Sequence, residues 1–387
     1  MPWENLKLET QREQLIKSYI AKEFTMKDLC NKFGISRKTA YKWYRRYSEK
    51  GIEGLKDEPR TPHNPNKIYS KDIIDKAIDY KLKHRTWGPK KILKNLSSFY
   101  PEEDWPSPTW LYEIFKEYHL VTPRKIRSRV PATAPLGHLS ECNDTWSVDL
   151  KGWFFTADKS KCEPLTITDC VSRYLIKCIH LNRHTVDYVW PVFDEAFREY
   201  GLPKHIRSDN GSPFGSTGIG RLTRLSVKLI KAGVLPEWIN PGCPEENGRH
   251  ERFHLTLKQD TANPPKATLN LQIKAMHDFQ YEYNNLRPHE ALDMKTPANC
   301  YYKSPRAWNG ILRSPEYDTK EIVVRKVQAN GVISFQNKVQ FIGEALIGEY
   351  IGLKPTIEDN FEIYFGPLYL GQLTRKGVEK PRNNRKK

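Results

Sequence analysis

The periodicity of apolar residues changes near residue 143, and this change constrains the fold more than any other feature of the sequence. From about residue 9 to 120, apolar residues recur at helical spacing. After residue 143, the segment PLTITDCVSRYLIKCIHL is typical of strands, VDYVWPVFDEAFREYG is typical of a helix, and PKHIRSD is typical of another strand. We therefore expect helical units followed by a compact α/β domain.

The first helical unit contains TMKDLCNKFGISRKTAYKWYRRY, which carries start and stop signals for two helices. Thr25 and Ser36 can cap the two helices, and Gly34 supplies the turn between them. This pattern predicts a helix-turn-helix whose second helix presents a basic face to the DNA major groove. An ordinary solvated helix face is the alternative. The candidate DNA-binding residues are Arg37, Lys38, Thr39, Lys42 and Arg46.

A second helical unit follows a polar segment with three prolines, residues 54–67. Its last helix is capped by Ser107, has Pro108 in its first turn and contains only Lys116 as a basic residue. Packing is therefore as good an interpretation of that helix as DNA reading. The basic segment that follows predicts an extended linker in contact with phosphates, with a plain tether as the alternative.

The C-terminal part has short alternating runs after about residue 315, together with the turn-forming pair Asn330–Gly331. These features predict hairpins and a small β-barrel. The expected fold is thus multidomain. The predicted domains are 1–55 (helix-turn-helix), 68–120 (second helical DNA-binding domain), 121–142 (basic linker), 143–303 (α/β core), 315–375 (small β-barrel) and 376–387 (basic tail).

Composition narrows the class of partner. Lys and Arg number 63 and Asp and Glu 46, and the resulting net charge of +17 favours a polyanion, either nucleic acid or an acidic membrane surface. The sequence has no apolar run of about 18 residues and no signal-peptide core, so we expect DNA and no membrane. Seven scattered cysteines form no C-x-x-C pair, which suits reduced thiols in the cytoplasm and argues against zinc.

Two aspartates belong to predicted strands of the α/β core. Asp149 in WSVDLKG has apolar neighbours, where a lone acid is costly unless it has a task. Asp209 in IRSDNGSPF follows a second strand, where an Asx turn with Asn210 and Gly211 is the alternative. If the strands are neighbours, both carboxylates meet at one edge of a sheet. A third acid is then expected, because two aspartates alone bind Mg²⁺ weakly.

The segment PGCPEENGRHERFHLTLKQD offers three glutamates for that third place. At about 100° per residue, Lys258 projects close to Glu251, whereas Phe253 and Leu257 lie about 200 to 240° away and would anchor the helix. Glu251 then faces solvent or DNA, with Lys258 placed for a phosphate. Glu245 lies roughly 120° around the same helix, if the helix reaches it, and cannot share the site.

Four motifs in order, WSVDLKG, IRSDNGSPF, NPGCPEENGRHERFHLTLK and YNNLRPHEALDMKTPANCY, resemble the catalytic core of bacterial insertion-sequence transposases related to retroviral integrases, the D,D,E recombinases. The resemblance covers about residues 143–303 and implies an RNase H-like fold. It implies that Asp149, Asp209 and Glu251 are catalytic and hold two Mg²⁺ ions, with Mn²⁺ as a substitute. The family often places 35 residues between the second Asp and the Glu, which Glu245 would give, whereas Glu251 gives 41. The local sequence NGRHERFHLTLK nevertheless assigns Glu251.

The activity that this resemblance implies is cleavage at transposon ends and transfer of the released 3′-OH into target DNA by a homo-oligomer. Lys258 would hold DNA, and Asn210, Gly211 and Asn247 would shape the loops around the ions. Two alternatives stay open. An RNase H-like nuclease would need no paired DNA-binding domains, and a catalytically silent regulator would lack a carboxylate.

The remaining polar residues near these motifs have structural interpretations. Asp169 is expected in a turn between strands. His250 and His254 form an i, i+4 pair, but zinc wants a third ligand, so positions on the helix surface or near DNA are favoured. For Arg287 and His289 in RPHEAL, packing or capping is favoured.

Overall fold

The computed structural model describes residues 8–57, 69–122, 139–240, 242–358 and 360–381. It divides into two compact units, Met1–Tyr69 and Ser70–Lys387. Most of the predicted basic linker and the end of the predicted basic tail lie outside the described residues.

The first unit contains the predicted helix-turn-helix. Its helices are α1 (Leu8–Ile20), α2 (Met26–Phe33) and α3 (Arg37–Lys50). Thr25 Oγ1 accepts a hydrogen bond from the Asp28 amide at 3.3 Å, and Ser36 Oγ accepts one from the Thr39 amide at 3.1 Å. Gly34 takes the left-handed conformation with φ 62°, which ends α2 at low steric cost.

An arginine packs against the apolar core of this unit. Arg12 on α1 is buried and donates to the carbonyl oxygen of Leu55 at 2.8 Å. Its guanidinium carbon lies 3.8 Å from the centroid of the Trp43 ring on α3. The apolar residues packed around this contact are Leu15, Ile16, Met26, Leu29, Cys30, Ala40, Trp43 and Leu55.

The second unit opens with three helices, α4 (Lys71–Lys83), α5 (Pro89–Phe99) and α6 (Pro108–Glu117). Ser107 caps α6 as predicted, because its hydroxyl accepts a hydrogen bond from the Trp110 amide at 3.2 Å. Their common apolar cluster consists of Ala77, Trp87, Ile92, Leu93, Leu96, Leu111 and Phe115.

A mixed five-stranded sheet forms the centre of the second unit. In chain order its strands are β1 (Thr145–Leu150), β4 (Pro164–Asp169), β5 (Leu175–His180), β6 (His205–Ser208) and β7 (Leu235–Trp238), and the short pair β2 (Phe154–Phe155) and β3 (Lys161–Cys162) lies between β1 and β4 in sequence. The spatial order is β5-β4-β1-β6-β7. β1 runs antiparallel to β4 and parallel to β6, so the fold changes strand direction beside β1.

Helices cover both faces of this sheet. They are α7 (Val186–Tyr200), α8 (Arg224–Lys231), α9 (Gly248–Thr261), α10 (Leu269–Asn285) and the short α11 (Pro297–Cys300). Trp146 and Val148 of β1 pack in one apolar cluster with α7 and α8. Phe253 of α9 packs in a second cluster with α10 and β5. Side chains alternate along a strand, so Ser147 and Asp149 face α9. None of the described helices has both the length and the apolar content needed to cross a membrane.

Antiparallel strands make up the C-terminal part. They are β8 (Val323–Lys326), β9 (Val332–Phe335), β10 (Lys338–Phe341), β11 (Tyr350–Pro355), β12 (Phe361–Phe365), β13 (Leu368–Thr374) and β14 (Gly377–Glu379). Five of them form a sheet of order β14-β13-β12-β11-β8, and β9 pairs with β10 as a hairpin. The predicted turn residue Gly331 has φ 77° and donates its amide hydrogen to Gln328 O at 2.9 Å.

The helical group α4–α6 packs against α10 and the segment after it. His84 Nδ1 lies 2.8 Å from Glu282 Oε1, and Asn95 donates to the carbonyl oxygen of Leu286 at 2.8 Å. Arg287 forms an ion pair with Asp260 at 2.9 Å, and its guanidinium lies 5.8 Å from the Trp87 ring centroid. These contacts agree with the packing role expected for Arg287.

Candidate catalytic site

Asp149 and Asp209 lie at the same end of two neighbouring parallel strands. β1 and β6 pair from Thr145 with His205 to Ser147 with Arg207. Asp149 lies near the end of β1 and Asp209 directly follows β6, so continuing this register by two residues brings the two aspartates side by side. β1 and β6 are therefore neighbouring strands, as a site shared by both carboxylates requires.

The Asx turn considered for Asp209 is present, and it orients the carboxylate. The amide of Gly211 donates to Asp209 Oδ1 at 3.1 Å, and a Cβ at Gly211 would lie only 3.2 Å from Oδ2. Asn210 donates to the carbonyl oxygen of Ile239 at 2.9 Å and accepts from Arg221 at 3.0 Å. Asn210 thus ties the turn to the loop after β7.

Glu251 lies on the exposed side of α9, as the helical geometry predicts. Phe253 and Leu257 are buried on the opposite side and anchor the helix to α10. Lys258, two turns after Glu251, is exposed. The α-helix begins at Gly248, so Glu245 belongs to the preceding 3₁₀ turn, and the side chain of Glu245 lies outside the described part of the structure.

The electrostatics of Asp149 reveal that the three carboxylates are close together. Burial, together with the charges of Asp209 and Glu251, raises the pKa of Asp149 to about 7. A hydrogen bond from Asn247 Nδ2 to Asp149 Oδ2, 3.2 Å long, acts in the opposite direction. Mutual repulsion of this kind is relieved by a cation. The three carboxylates offer the oxygen ligands that Mg²⁺ prefers, whereas Asn247 directs its Nδ2 at Asp149 and its Oδ1 accepts from Ser147.

A buried polar network lies behind Asp149. Thr166 pairs with Asp149 across β1 and β4, and its hydroxyl donates to Asp149 O at 3.2 Å. The same Oγ1 lies 2.6 Å from His250 Nε2 and 2.8 Å from His254 Nε2. His250 Nδ1 in turn lies 3.1 Å from Ser147 Oγ. These contacts join α9 to the strand that carries Asp149.

The two histidines correct the expectation of surface positions. His250 is 2% exposed and His254 is 9% exposed. Burial lowers the pKa of His250 well below its usual value, and burial together with the charge of Lys151 lowers the pKa of His254 to about 3. Both rings are therefore neutral. Sequence reasoning missed this arrangement because their partner, Thr166, comes from a strand far away in the chain.

Basic residues flank the site. Burial lowers the pKa of Lys151, and the nearby charge of Lys258 lowers it as well. The charge of Asp149 acts in the opposite direction. Lys151 thus lies near both residues. It was missed because a lysine directly after a strand carries no distinguishing signal in so basic a chain.

Asp169 has the structural role expected for it. Its carboxylate is buried and accepts hydrogen bonds from the amides of Asn143, Val171 and Ser172 at 2.8, 3.2 and 2.7 Å. These bonds close the turn between β4 and β5.

The candidate DNA-binding residues on α3 differ in their surroundings. Arg37, Lys38 and Lys42 are exposed, and the hydroxyl of Thr39, which is half-buried, lies 2.9 Å from Ser36 Oγ. Arg46 is also half-buried. It donates to the carbonyl oxygen of Lys56 at 3.1 Å and lies 5.0 Å from the Trp43 ring centroid. Arg46 therefore contributes to the packing of its own unit.

Protein families match this chain along most of its length. The integrase core domain family matches residues 140–244 and again residues 232–297. A helix-turn-helix domain matches residues 11–63, and a homeodomain-like domain matches residues 39–115. The C-terminal domain of IS481 family transposases matches residues 322–378. The segment with the mixed sheet is thus an RNase H-like integrase core that follows helix-turn-helix domains.

Individual relatives are distant in sequence. An uncharacterized 39.2 kDa protein of insertion element IS476 from Xanthomonas euvesicatoria is 25% identical over 250 residues, which are 62% of this chain and 68% of that protein. The transposase for transposon Tn552 from Staphylococcus aureus is 21% identical over 403 residues, covering 88% and 78% of the two chains. Among solved structures, the HTLV-2 integrase catalytic core in complex with magnesium aligns with 42% of this chain and 99% of its own, at 18% identity and a TM-score of 0.33.

The class of protein follows from these matches together with the motifs. The chain has an integrase-type core, helix-turn-helix domains and a C-terminal match to IS481 transposases, which is the composition of an insertion-sequence transposase. The resemblance predicted from the four motifs is confirmed.

Proposed function

We propose that this chain is a DNA transposase that cleaves the ends of a transposon and joins the released 3′-OH to target DNA with the aid of divalent metal ions. The observation that carries the proposal is the meeting of Asp149 and Asp209 on parallel strands, with Glu251 close enough for its charge to raise the pKa of Asp149. Mg²⁺ is the expected ion, with Mn²⁺ as a substitute and two ions in each site.

The residues of the site divide the chemistry between them. Bound ions would lower the pKa of an attacking water and neutralise charge on the phosphodiester. Asp149 and Asp209 would hold the ions, and Glu251 would complete the set of ligands from α9. Asn247 orients Asp149 through its hydrogen bond. Lys258 binds the DNA backbone, and Lys151 adds positive charge next to it.

The other domains bring DNA to the site. The proposed organisation keeps residues 1–55 and 68–120 as DNA-binding domains and 315–375 as a small β-barrel that supports the complex. The partners are double-stranded transposon ends and target DNA. A homo-oligomer is required, because joining two ends to one target needs at least two active sites. Such a protein works where the bacterial chromosome is, in the cytoplasm at the nucleoid.

Two other functions fit parts of the chain less well. A nuclease that cuts without joining would need no helix-turn-helix domain to find a defined end. A regulator without catalysis would be free to lose a metal ligand, whereas all three carboxylates are present. The transposase accounts for both features.

A strand-transfer assay separates these functions. Purified protein is mixed with labelled transposon-end DNA, supercoiled target plasmid and Mg²⁺ or Mn²⁺, and the products are resolved on a gel. We expect both nicked ends and ends joined to the plasmid. Protein that nicks the ends but never joins them would replace the transposase with the nuclease.

The assignment of the glutamate is tested in the same assay. Glu251→Gln is expected to reduce cleavage and joining at least about 1,000-fold, because one metal ligand loses its charge, while end binding in a gel shift stays within about twofold. Glu245→Gln is the matched control and should retain most activity. The opposite ranking would assign catalysis to Glu245.

A further inference from the structure

A buried imidazole lies beside the carboxylate that the proposed function assigns to the metal. Asp149, His250 and His254 each offer a ligand atom, and these atoms lie within 4.8 Å of one another. The closest approach to the carboxylate is from His254, whose Nδ1 is 3.8 Å from Asp149 Oδ2. The hydrogen bonds of each ring determine whether one of its nitrogens can bind a metal ion.

The hydroxyl of Thr166 has a single proton and two lone pairs. Its three neighbours are the carbonyl oxygen of Asp149 and the Nε2 atoms of His250 and His254. The hydroxyl donates its proton to the carbonyl oxygen of Asp149, which can only accept. Each Nε2 must then carry a hydrogen and donate to Thr166 Oγ1. The proton and both lone pairs of the hydroxyl then each have a partner.

The Nδ1 atom of each neutral ring is consequently a lone pair. For His250 this lone pair accepts from the hydroxyl of Thr168, 3.3 Å away, whereas Ser147, 3.1 Å from the same nitrogen, donates its proton to Asn247 Oδ1. For His254 no donor to Nδ1 is recorded among the described residues, and the group in front of it is Asp149 Oδ2. Two acceptors therefore face each other in a site where both side chains are largely buried. A cation between them removes the conflict.

We propose that His254 is a metal ligand, which binds through Nδ1 the same divalent ion as Asp149. This inference rests on the proposed function, because it extends the metal site of the transposase. Bonds of about 2.1 Å from an ion to nitrogen and to oxygen span a gap of this size. His250 is not a ligand, because both of its ring nitrogens already have hydrogen-bond partners, Thr166 at Nε2 and Thr168 at Nδ1.

The helix geometry agrees with this assignment. His254 follows Glu251 by three residues, so the two side chains project from neighbouring positions on α9. Thr166 holds the ring of His254 in the tautomer that exposes Nδ1, as hydrogen-bond partners of metal-bound histidines commonly do.

A nitrogen ligand changes the preference of the site among metals. Mg²⁺ takes oxygen ligands almost exclusively, whereas imidazole suits transition metals, and Mn²⁺ accepts both donor types. The protein should therefore bind Mn²⁺ more tightly than Mg²⁺, and the difference should shrink when His254 is replaced.

Pulsed electron paramagnetic resonance on the full chain loaded with Mn²⁺ alone tests the ligand directly, since an imidazole nitrogen bound to Mn²⁺ gives a ¹⁴N modulation. We expect this signal in the wild-type protein and its loss in His254→Gln, with Mn²⁺ affinity lowered about 10-fold or more in a titration. His277→Gln is the matched control, because His277 is exposed on α10. It should keep both the signal and the affinity.

The result separates this inference from the proposed function. Wild-type protein without ¹⁴N modulation, or modulation that persists in His254→Gln, would overturn the ligand assignment even if the protein joins DNA ends. If His254→Gln fails to fold, His254→Asn takes its place, and the wild-type spectrum alone still decides whether nitrogen is bound. A nitrogen signal in protein that never joins ends would instead refute the transposase.

Discussion

The fold strongly shifts the acidity of Asp149. Its pKa is raised to about 7, first by burial and then by the neighbouring acids. In an unfolded chain an aspartate titrates near pH 4. Between about pH 4 and 7 the folded protein therefore holds a proton that the unfolded chain has lost. Stability from this residue falls as the pH rises through that window and is lowest above pH 7.

Replacing Asp149 should expose this cost. In the absence of divalent ions at pH 8, Asp149→Asn is expected to raise the free energy of unfolding by about 2 to 4 kcal/mol, because the variant buries no charge. At pH 4 the two proteins should be nearly equal. Thermal unfolding followed at both pH values measures the effect. A difference that does not change with pH would show that Asp149 is not the group that titrates.

At the scale of single elements, α9 shows what the sequence could and could not predict. The exposed side with Glu251 and the buried side with Phe253 follow from spacing within the helix, and both predictions were correct. The burial of His250 and His254 was not predictable in this way. Polar side chains on a buried helix face are tolerated only when they have partners, and here the partners come from β1 and β4.

The same distinction applies to the rest of the chain. Thr25, Gly34 and Ser36 determine a local turn, and their roles were readable from sequence because capping acts over three or four residues. The parallel pairing of β1 and β6 is a contact between distant segments. The sequence indicated two strands with an acid each, but their adjacency stayed a condition until the strand register was seen.

The surroundings of α3 predict different consequences for two of its basic residues. Lys42→Ala should weaken binding to end DNA and reduce the salt slope by about 1, with only a small change in thermal midpoint, because Lys42 is exposed and contacts its own unit through the Trp43 ring, 5.0 Å from Nζ. Arg46→Ala should lower the thermal midpoint as well, because Arg46 binds the carbonyl oxygen of Lys56. Salt-dependent gel shifts and thermal unfolding measure the two quantities. An unchanged salt slope for Lys42→Ala would exclude α3 as the recognition helix.

At the scale of the whole molecule, the helices α4–α6 are built onto the catalytic core. We call the contact surface between them the seam. It consists of His84, Asn95 and Trp87 on one side and Glu282, Leu286 and Arg287 on the other. Arg287 is buried, and its ion pair with Asp260 lies within the same seam. DNA bound by α4–α6 would therefore be held in a fixed position relative to the site.

Breaking the pair at this seam should be costly. Arg287→Met is expected to destabilise the protein by about 3 kcal/mol, because Asp260 is left with an uncompensated and mostly buried charge. Asp260→Asn added to Arg287→Met should restore part of the loss. Chemical denaturation of the wild type, both single variants and the double variant measures the coupling. Additive losses would mean that the pair does not stabilise the seam.

The separation of the three carboxylates along the chain has a consequence during protein synthesis. Roughly 100 residues, on the order of 5 to 20 s of translation, lie between the emergence of Asp149 and that of Glu251 from the ribosome. The first unit, with its own apolar core, emerges well before either residue. A nascent or prematurely terminated chain would therefore carry its helix-turn-helix but no complete cutting centre. Under the proposed function, translation order alone would keep the unfinished chain from nicking the chromosome.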